Sequence, residues 1–169
     1  MTRNVLPEDI FALAERVVAA NKAAGRMIVT AESCTGGLVA AALTEVPGSS
    51  AVLQSGFVTY SNEAKIKTLK VGEELIDTFG AVSVAVAWAM AQGALKRSSA
   101  DVAVAISGIA GPDGGTASKP VGTVVFALAE RGKDSEDVVA DKIQFGEDKS
   151  RAEIRQMATL HALGLLMPS

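Results

Sequence analysis

The segment at residues 102–106 constrains the fold of this chain more than any other, because it is a nearly unbroken apolar run. Such a run is typical of a strand that helices cover on both faces of a sheet, whereas a strand with one solvated face alternates apolar and polar residues. Apolar and β-branched segments at 27–30, 52–60, 123–129 and 138–143 predict four further strands. The alternation of strands and helical segments predicts an α/β fold.

Helical patterns fill the stretches between these strands. The first helix follows Pro7 and stops at Gly25, and another begins at a cap formed by Ser61 or Asn62. Further helices are expected at 38–43, within 71–79, in an alanine-rich stretch that ends near residue 97, and at the end of the chain.

The connections between the strands predict how the sheet is arranged. The turn between the last two strands is too short for a parallel crossover, which needs a dozen residues or more, so these strands form an antiparallel hairpin. We expect a three-layer α/β/α sandwich with a mixed, mostly parallel central sheet. It should form a single domain over residues 1–169, a length typical of one domain.

The composition restricts the classes of function. The chain has 16 basic and 19 acidic residues, a net charge of −3, and 4% aromatic residues. Binding to nucleic acid needs a positive surface or an aromatic stacking platform, so no nucleic-acid partner is expected. The single histidine, His161, excludes a multi-histidine metal site and nearly excludes a Ser-His-Asp triad; it is better explained as a packed core residue.

We expect a soluble, cytoplasmic protein without a membrane partner. A charged amphipathic stretch follows residues 1–9, where an export signal would have an apolar segment. The longest apolar run, at 81–91, is shorter than the ~18 residues of a spanning helix. The one cysteine, Cys34, fits a reducing compartment. Small residues in the helix at 84–95 suit a subunit contact, so a homo-oligomer, a dimer or larger, is expected.

Two loops rich in glycine and hydroxyl groups, at 32–37 and 107–115, follow predicted strands. Ligands bind beyond the carboxyl ends of the strands in open α/β sheets. If there were only one such loop, the simpler interpretation would be that its glycines make tight turns and its hydroxyl groups cap a helix. Two such loops at the same edge of one sheet instead favour a binding site. Neither matches a P-loop or the motif Gly-x-Gly-x-x-Gly. Free amides where the helix after Gly36 begins can still hold an anion or an oxyanion.

Ser33 is the better nucleophile candidate, because it lies between the end of a strand and the start of a helix. A serine hydroxyl needs a base, and with histidine nearly excluded the base is a lysine, a carboxylate or a tyrosinate. Lys65 and Tyr60 follow the second strand, where both can face Ser33. A lysine acts as a base when its pKa is lowered toward ~7–8. From the residues alone this signal is weak, because such a lysine is more often a solvated surface residue and such a tyrosine a packing residue at a strand end.

Other candidates remain open from the residues alone. Cys34 rivals Ser33, since a thiolate at a helix N-terminus has a lowered pKa, although a small buried apolar residue is the simpler interpretation. Arg151 and Arg155 lie one turn apart near the start of the last helix. They fit a solvated helix face or an arginine that reaches a phosphate.

Four segments resemble the CinA C-terminal domain family. They are 31–37 (Ala-Glu-Ser-Cys-Thr-Gly-Gly), 56–65 (Gly-Phe-Val-Thr-Tyr-Ser-Asn-Glu-Ala-Lys), 107–115 (Ser-Gly-Ile-Ala-Gly-Pro-Asp-Gly-Gly) and 119–124 (Lys-Pro-Val-Gly-Thr-Val). The resemblance extends from about residue 8 to 166. It implies the stand-alone form of the family, nicotinamide-nucleotide amidases that recycle pyridine nucleotides. These hydrolyse the carboxamide of nicotinamide mononucleotide to nicotinate mononucleotide and ammonia without a metal or organic cofactor.

The resemblance also implies roles for individual residues. The catalytic serine, lysine and assisting tyrosine of the family fall on Ser33, Lys65 and Tyr60. The residues that bind the substrate or the oxyanion fall on Thr35, Gly36, Gly37, Ser107, Gly108 and Arg151. Arg151 lies in a motif that usually reads Gly-Asp-Arg in the family but is Lys-Ser-Arg here, so Arg155 remains an alternative phosphate ligand. The same departure leaves a second hypothesis, a nucleotide-binding regulatory module of the competence- and damage-inducible type without turnover.

Overall fold

The computed structural model describes residues 3–169, so Met1 and Thr2, with which the predicted domain begins, lie outside the described residues. The strands are β1 (Ile28–Glu32), β2 (Leu53–Val58), β3 (Val102–Gly108), β4 (Thr123–Glu130) and β5 (Val139–Gln144). The helices are α1 (Glu8–Ala24), α2 (Leu38–Glu45), α3 (Asn62–Leu69), α4 (Glu73–Phe79), α5 (Val84–Lys96) and α6 (Arg151–Leu165). All five predicted strands and the predicted helices are present.

The five strands form one mixed sheet in the order β2-β1-β3-β4-β5. Strand β1 pairs in parallel with β2 and β3, while the pairs β3–β4 and β4–β5 are antiparallel. Only β4 therefore opposes the other strands, and the predicted mixed, mostly parallel sheet is confirmed together with its hairpin. In β1, Glu32 is opposite both Val58 and Ile106, so three strands reach the same edge of the sheet at the same level.

Helices cover both faces of the sheet, as the apolar strand at 102–106 predicted. In β3, Val104 and Ile106 pack into a core with α1, α2 and α6, while Ala103 and Ala105 pack into a second core with α5. Alternate side chains of a strand point to opposite faces, which separates the two cores. The alanines of α5 let this helix lie close to the small residues of β3.

The helix boundaries follow from local capping. Helix α1 ends at Gly25, which has the positive φ of 63° that terminates helices readily when no Cβ is present. Helix α3 begins after Ser61, whose side chain accepts a hydrogen bond from the Ala64 amide at 3.0 Å. Of the two caps that the sequence allowed, Ser61 is therefore the one used.

Strand β2 ends at Val58, two residues before the end of the predicted strand. The Thr59 amide still donates to the Glu32 carbonyl at 2.9 Å, and the chain then turns toward the Ser61 cap. Tyr60 is consequently in an irregular segment. No helix in the described part of the chain has the length and apolar character needed to cross a bilayer.

Candidate active site

A cavity of about 260 Å³ opens at the edge where β1, β2 and β3 end. Its lining residues are Ser33, Cys34, Tyr60, Asn62, Lys65, Ala81, Val82, Ser107, Gly108, Ile109, Ala110, Gly111, Asp113, Gly114 and Arg151. Both predicted glycine-rich loops contribute to the wall, because their parent strands are parallel neighbours. The cavity therefore lies where α/β sheets bind ligands.

Ser33 and Lys65 contact each other directly inside this cavity. The Lys65 Nζ donates to the Ser33 Oγ at 2.9 Å, and also to the carbonyls of Thr59 at 2.9 Å and Tyr60 at 3.0 Å. Ser33 follows β1 immediately, while Lys65 lies one turn into α3, so two short elements bring the pair together. The structure thus unites the two residues that the sequence separated by 32 positions.

Lys65 is only 1% exposed. Its burial lowers the pKa of the amine from 10.5 to about 8, and the nearby Cys34 thiol opposes this change weakly. Burial acts in this direction because an ammonium group loses its hydration in the protein interior. At pH 7 about a tenth of Lys65 is therefore uncharged and able to accept a proton, against less than a thousandth for a lysine with the ordinary pKa of 10.5.

The backbone of the nucleophile loop, residues 32–37, is fixed by a buried carboxylate. Glu32 accepts hydrogen bonds from the Thr35 hydroxyl at 2.6 Å and from the amides of Val39 at 2.9 Å and Ala40 at 3.1 Å. It thus satisfies amides in the first turn of α2, where a negative charge is favourable. No role was predicted for Glu32 from the sequence. An acidic residue placed directly between an apolar strand and the start of a helix is the pattern that could have indicated one.

Thr35, Gly36 and Gly37, expected to bind substrate, lie outside the cavity lining. The Thr35 hydroxyl points to Glu32, the Gly36 amide donates to the Ser33 carbonyl at 3.0 Å, and Gly37 begins α2 with φ 104°. These three residues shape the loop behind Ser33. Their expected part in binding the substrate stays a prediction.

The phenol of Tyr60 does not lie between Ser33 and Lys65. Its hydroxyl accepts a hydrogen bond from Arg151 Nη2 at 2.9 Å, and the residue is 60% exposed. The backbone carbonyl of Tyr60, and not its side chain, contacts the pair. Of the two routes for the serine proton, directly to Lys65 or through the phenol of Tyr60, the direct one fits this geometry.

The two candidate arginines have different surroundings. Arg151 lines the cavity and donates to the Gly111 carbonyl at 2.7 Å as well as to Tyr60. Arg155 donates to the carbonyls of Cys34 at 3.1 Å and Thr35 at 3.5 Å, on the far side of the nucleophile loop. Of the two, Arg151 has the position from which a ligand in the cavity can be reached.

Ser107 and Gly108 line the cavity and come from the end of β3. The Ser107 hydroxyl donates to the Ala81 carbonyl at 2.9 Å, which ties the segment before α5 to the cavity wall. A Cβ added at Gly108 would lie 2.8 Å from a Val124 methyl carbon and 3.1 Å from the Cys34 sulfur. Only glycine fits this close approach.

The surroundings of Cys34 and His161 disfavour nucleophilic and base chemistry. Cys34 is buried, and burial raises the pKa of its thiol to about 11, so it is protonated near neutral pH. His161 packs on Phe126 with ring centroids 4.4 Å apart, and its Nε2 lies 3.5 Å from Asp141. Among residues 3–169, no group of three histidine, cysteine or acidic residues is placed to hold a metal ion.

The chain is similar to known proteins over most of its length. The family described as the CinA C-terminal domain matches residues 10–169. The nicotinamide-nucleotide amidohydrolase PncC of Escherichia coli (strain K12) is 50% identical over 159 residues, 94% of this chain and 93% of that protein. A competence-damage inducible protein of Symbiobacterium thermophilum is 56% identical over 147 residues, 84% of this chain; the chain spans about a third, 34%, of that relative.

A solved structure shares the whole fold. The competence/damage inducible protein CihA from Agrobacterium tumefaciens superimposes with a TM-score of 0.91 at 49% sequence identity. The match covers 98% of this chain and 97% of the other.

Proposed function

This chain belongs to the CinA C-terminal domain family, and from that premise we propose that it hydrolyses the carboxamide of nicotinamide mononucleotide to nicotinate mononucleotide and ammonia. The similarity to PncC over nearly the full length of both proteins supports the substrate and the reaction. The observation that carries the proposal is the 2.9 Å contact between the buried Lys65 Nζ and the Ser33 Oγ.

In the first step, uncharged Lys65 accepts the proton of Ser33 while the serine oxygen attacks the carboxamide carbon. A lysine with a pKa of about 8 supports this role, because a general base is most effective when its pKa is near the working pH. The carbonyls of Thr59 and Tyr60 then stabilise the ammonium group that forms. The tetrahedral intermediate carries its negative charge on the former carbonyl oxygen.

A backbone amide of the nucleophile loop holds this oxyanion. The amide of Cys34, which lines the cavity, donates to no other residue among those that the structure describes, whereas the Gly36 amide is already bonded to Ser33. Free amides next to the nucleophile are suitable donors, and the loss of one such donor typically costs ~10²–10³ in turnover. Ammonia leaves after Lys65 returns the proton to the amide nitrogen.

Water then releases the acid from the acyl-enzyme. Lys65, uncharged again, takes a proton from the water, and Ser33 recovers its proton when the ester breaks. Arg151 holds the phosphate of the nucleotide, and Ser107 and Gly108 form the wall along the substrate. Arg151 reaches the cavity from the N-terminus of α6, which supports its role as the phosphate ligand.

The test is ammonia release from nicotinamide mononucleotide by purified protein. We expect turnover by the wild type, and its loss by at least ~10³-fold in Ser33→Ala and ~10²–10⁴-fold in Lys65→Met, since one removes the nucleophile and the other the base. Thermal unfolding and nucleotide binding of Ser33→Ala serve as controls for the fold.

Two outcomes would contradict the proposal. Undiminished turnover by Ser33→Ala would remove Ser33 from the mechanism. Tight binding of the nucleotide by the wild type with no ammonia released between pH ~6 and ~9, a range that covers a tuned lysine, would instead indicate the regulatory binding module.

A further inference from the structure

Asp113 is a cavity residue to which the proposed reaction gives no task. It is exposed, and it is the one acidic residue among those that line the cavity, opposite in sign to Lys65 and Arg151. Its carboxylate makes no hydrogen bond or ion pair with any residue in the range 3–169. A carboxylate that lines a cavity without a partner is available to a ligand.

The loop that carries Asp113 is exposed over residues 112–118, but its backbone packs closely at Gly111 and Gly115. A Cβ added at Gly111 would lie 2.5 Å from a methyl carbon of Val121, and one at Gly115 would lie 2.7 Å from the Val121 amide. The Gly111 carbonyl accepts a hydrogen bond from Arg151 at 2.7 Å. Arg151 thus holds the loop and also lines the cavity. The negative charge of Asp113 therefore lies on a loop that contacts the positive charge of Arg151.

The charges of the proposed substrate match this arrangement. In nicotinamide mononucleotide the ring nitrogen is bonded to the ribose and carries a positive charge, while the phosphate is negative. Arg151 is the partner proposed for the phosphate, which leaves the pyridinium charge without one. Burying a charge is favourable only when an opposite charge compensates for it.

We propose that Asp113 recognises the positive charge of the pyridinium ring and makes the site selective for the oxidised nucleotide over ligands with a neutral ring. This inference rests on the proposed function, because it assumes a nicotinamide nucleotide in the cavity. Asp113 is a specificity residue: it attracts the ring and takes no part in proton transfer.

The test compares two nucleotides that differ in ring charge. Nicotinamide mononucleotide and its reduced form, whose dihydropyridine ring is neutral, are titrated calorimetrically into Ser33→Ala protein with and without Asp113→Asn. The measured quantity is the dissociation constant of the reduced nucleotide divided by that of the oxidised one. Asp113→Asn should lower this ratio about fivefold, because one partly exposed ion pair contributes an effect of that size. Asp113→Ala should give the same loss, and Asp113→Glu should retain the preference.

Asp148→Asn is the matched control, because it removes an exposed carboxylate close in sequence to Arg151 but outside the cavity. It should leave the ratio unchanged. The inference is overturned if Asp113→Asn and Asp113→Ala leave the ratio unchanged. This includes the case in which both nucleotides lose affinity equally, as expected if Asp113 binds ribose hydroxyls. It is also overturned if neither nucleotide binds. Wild-type protein that shows the charge preference but releases no ammonia would refute the proposed hydrolysis and leave this inference standing.

Discussion

At the scale of single residues, Lys65 shows how burial alone can tune a base. A lowered lysine pKa can also come from a neighbouring cation, but here loss of hydration is the main cause and the Cys34 thiol acts weakly in the opposite direction. Three acceptors surround the amine, among them the Ser33 oxygen. The lysine is therefore held in the geometry of proton transfer while its charged form is disfavoured.

Cys34, next to the nucleophile, provides the first prediction at this scale. Cys34→Ala should keep most of the wild-type kcat/KM, because a thiol with a pKa of about 11 has only about one part in ten thousand as thiolate at pH 7. Native protein should also react slowly with iodoacetamide at neutral pH. Steady-state ammonia release and mass spectrometry of the alkylated protein measure the two effects, and a loss of several orders of magnitude in Cys34→Ala would make cysteine the nucleophile.

The sequence predicted the Ser33–Lys65 pair but not the orientation of Tyr60. Ser33 and Lys65 each lie at a defined distance from a strand end, so topology alone brings them to one edge of the sheet. Tyr60 is the second residue after the end of β2, where the alternation of side chains no longer applies. Its side chain is instead directed by Arg151, 91 residues away, a contact that no local pattern contains.

At the scale of elements, the N-terminus of α6 explains why the motif around Arg151 can depart from the family pattern. The Ser150 side chain accepts from the Glu153 amide at 3.1 Å, and Glu153 accepts from the Ser150 amide at 3.1 Å, which is a capping box. Serine and aspartate are both good N-caps. Ser150 can therefore replace the aspartate of Gly-Asp-Arg and still begin the helix at Arg151.

Two substitutions at this cap form the second prediction. Ser150→Ala should lose about 1 kcal/mol of unfolding free energy, or roughly 2–4 °C in Tm, because the Glu153 amide loses its acceptor. Ser150→Asp should retain the wild-type Tm, since it restores an acceptor at the same position. Thermal melts of the two variants measure this difference, and equal destabilisation by both would show that the cap does not hold the start of α6.

The elements themselves could largely be predicted from the chain. Gly25 and the cap before α3 marked helix ends through local chemistry, and the apolar run of β3 marked a strand buried on both faces. The end of β2 could not be placed, because the residues at 59–60 continue the apolar and β-branched composition of the strand. The end of β2 is determined by where its hydrogen bonds to β1 stop. This depends on how the two strands are arranged in the sheet.

At the scale of the whole molecule, the sheet order creates the site. Strands β2, β1 and β3 are parallel neighbours, so the segments that follow them converge although they are far apart in sequence. This convergence follows from an α/β topology and could be expected. The role of Glu32 and the role proposed for Asp113 could not, because they depend on the direction of a side chain at a strand end and of one in an irregular loop.

The pKa of Lys65 is a property of this whole arrangement, since strand ends, loops and α3 together exclude water from the amine. As the pH is lowered below 8, a growing fraction of the amine is protonated and cannot accept the serine proton. The rate should therefore decrease as the pH decreases. The phosphate of the nucleotide titrates near pH ~6, so measurements above that value report on the enzyme.

The most direct test of the account is therefore the pH dependence of kcat/KM for ammonia release from nicotinamide mononucleotide. We expect kcat/KM to rise about tenfold per pH unit well below pH 8, to be half-maximal near the Lys65 pKa of about 8, and to reach a plateau above it. A profile that is flat between pH ~6.5 and ~10, or that falls through this range, would contradict the claim that uncharged Lys65 activates Ser33.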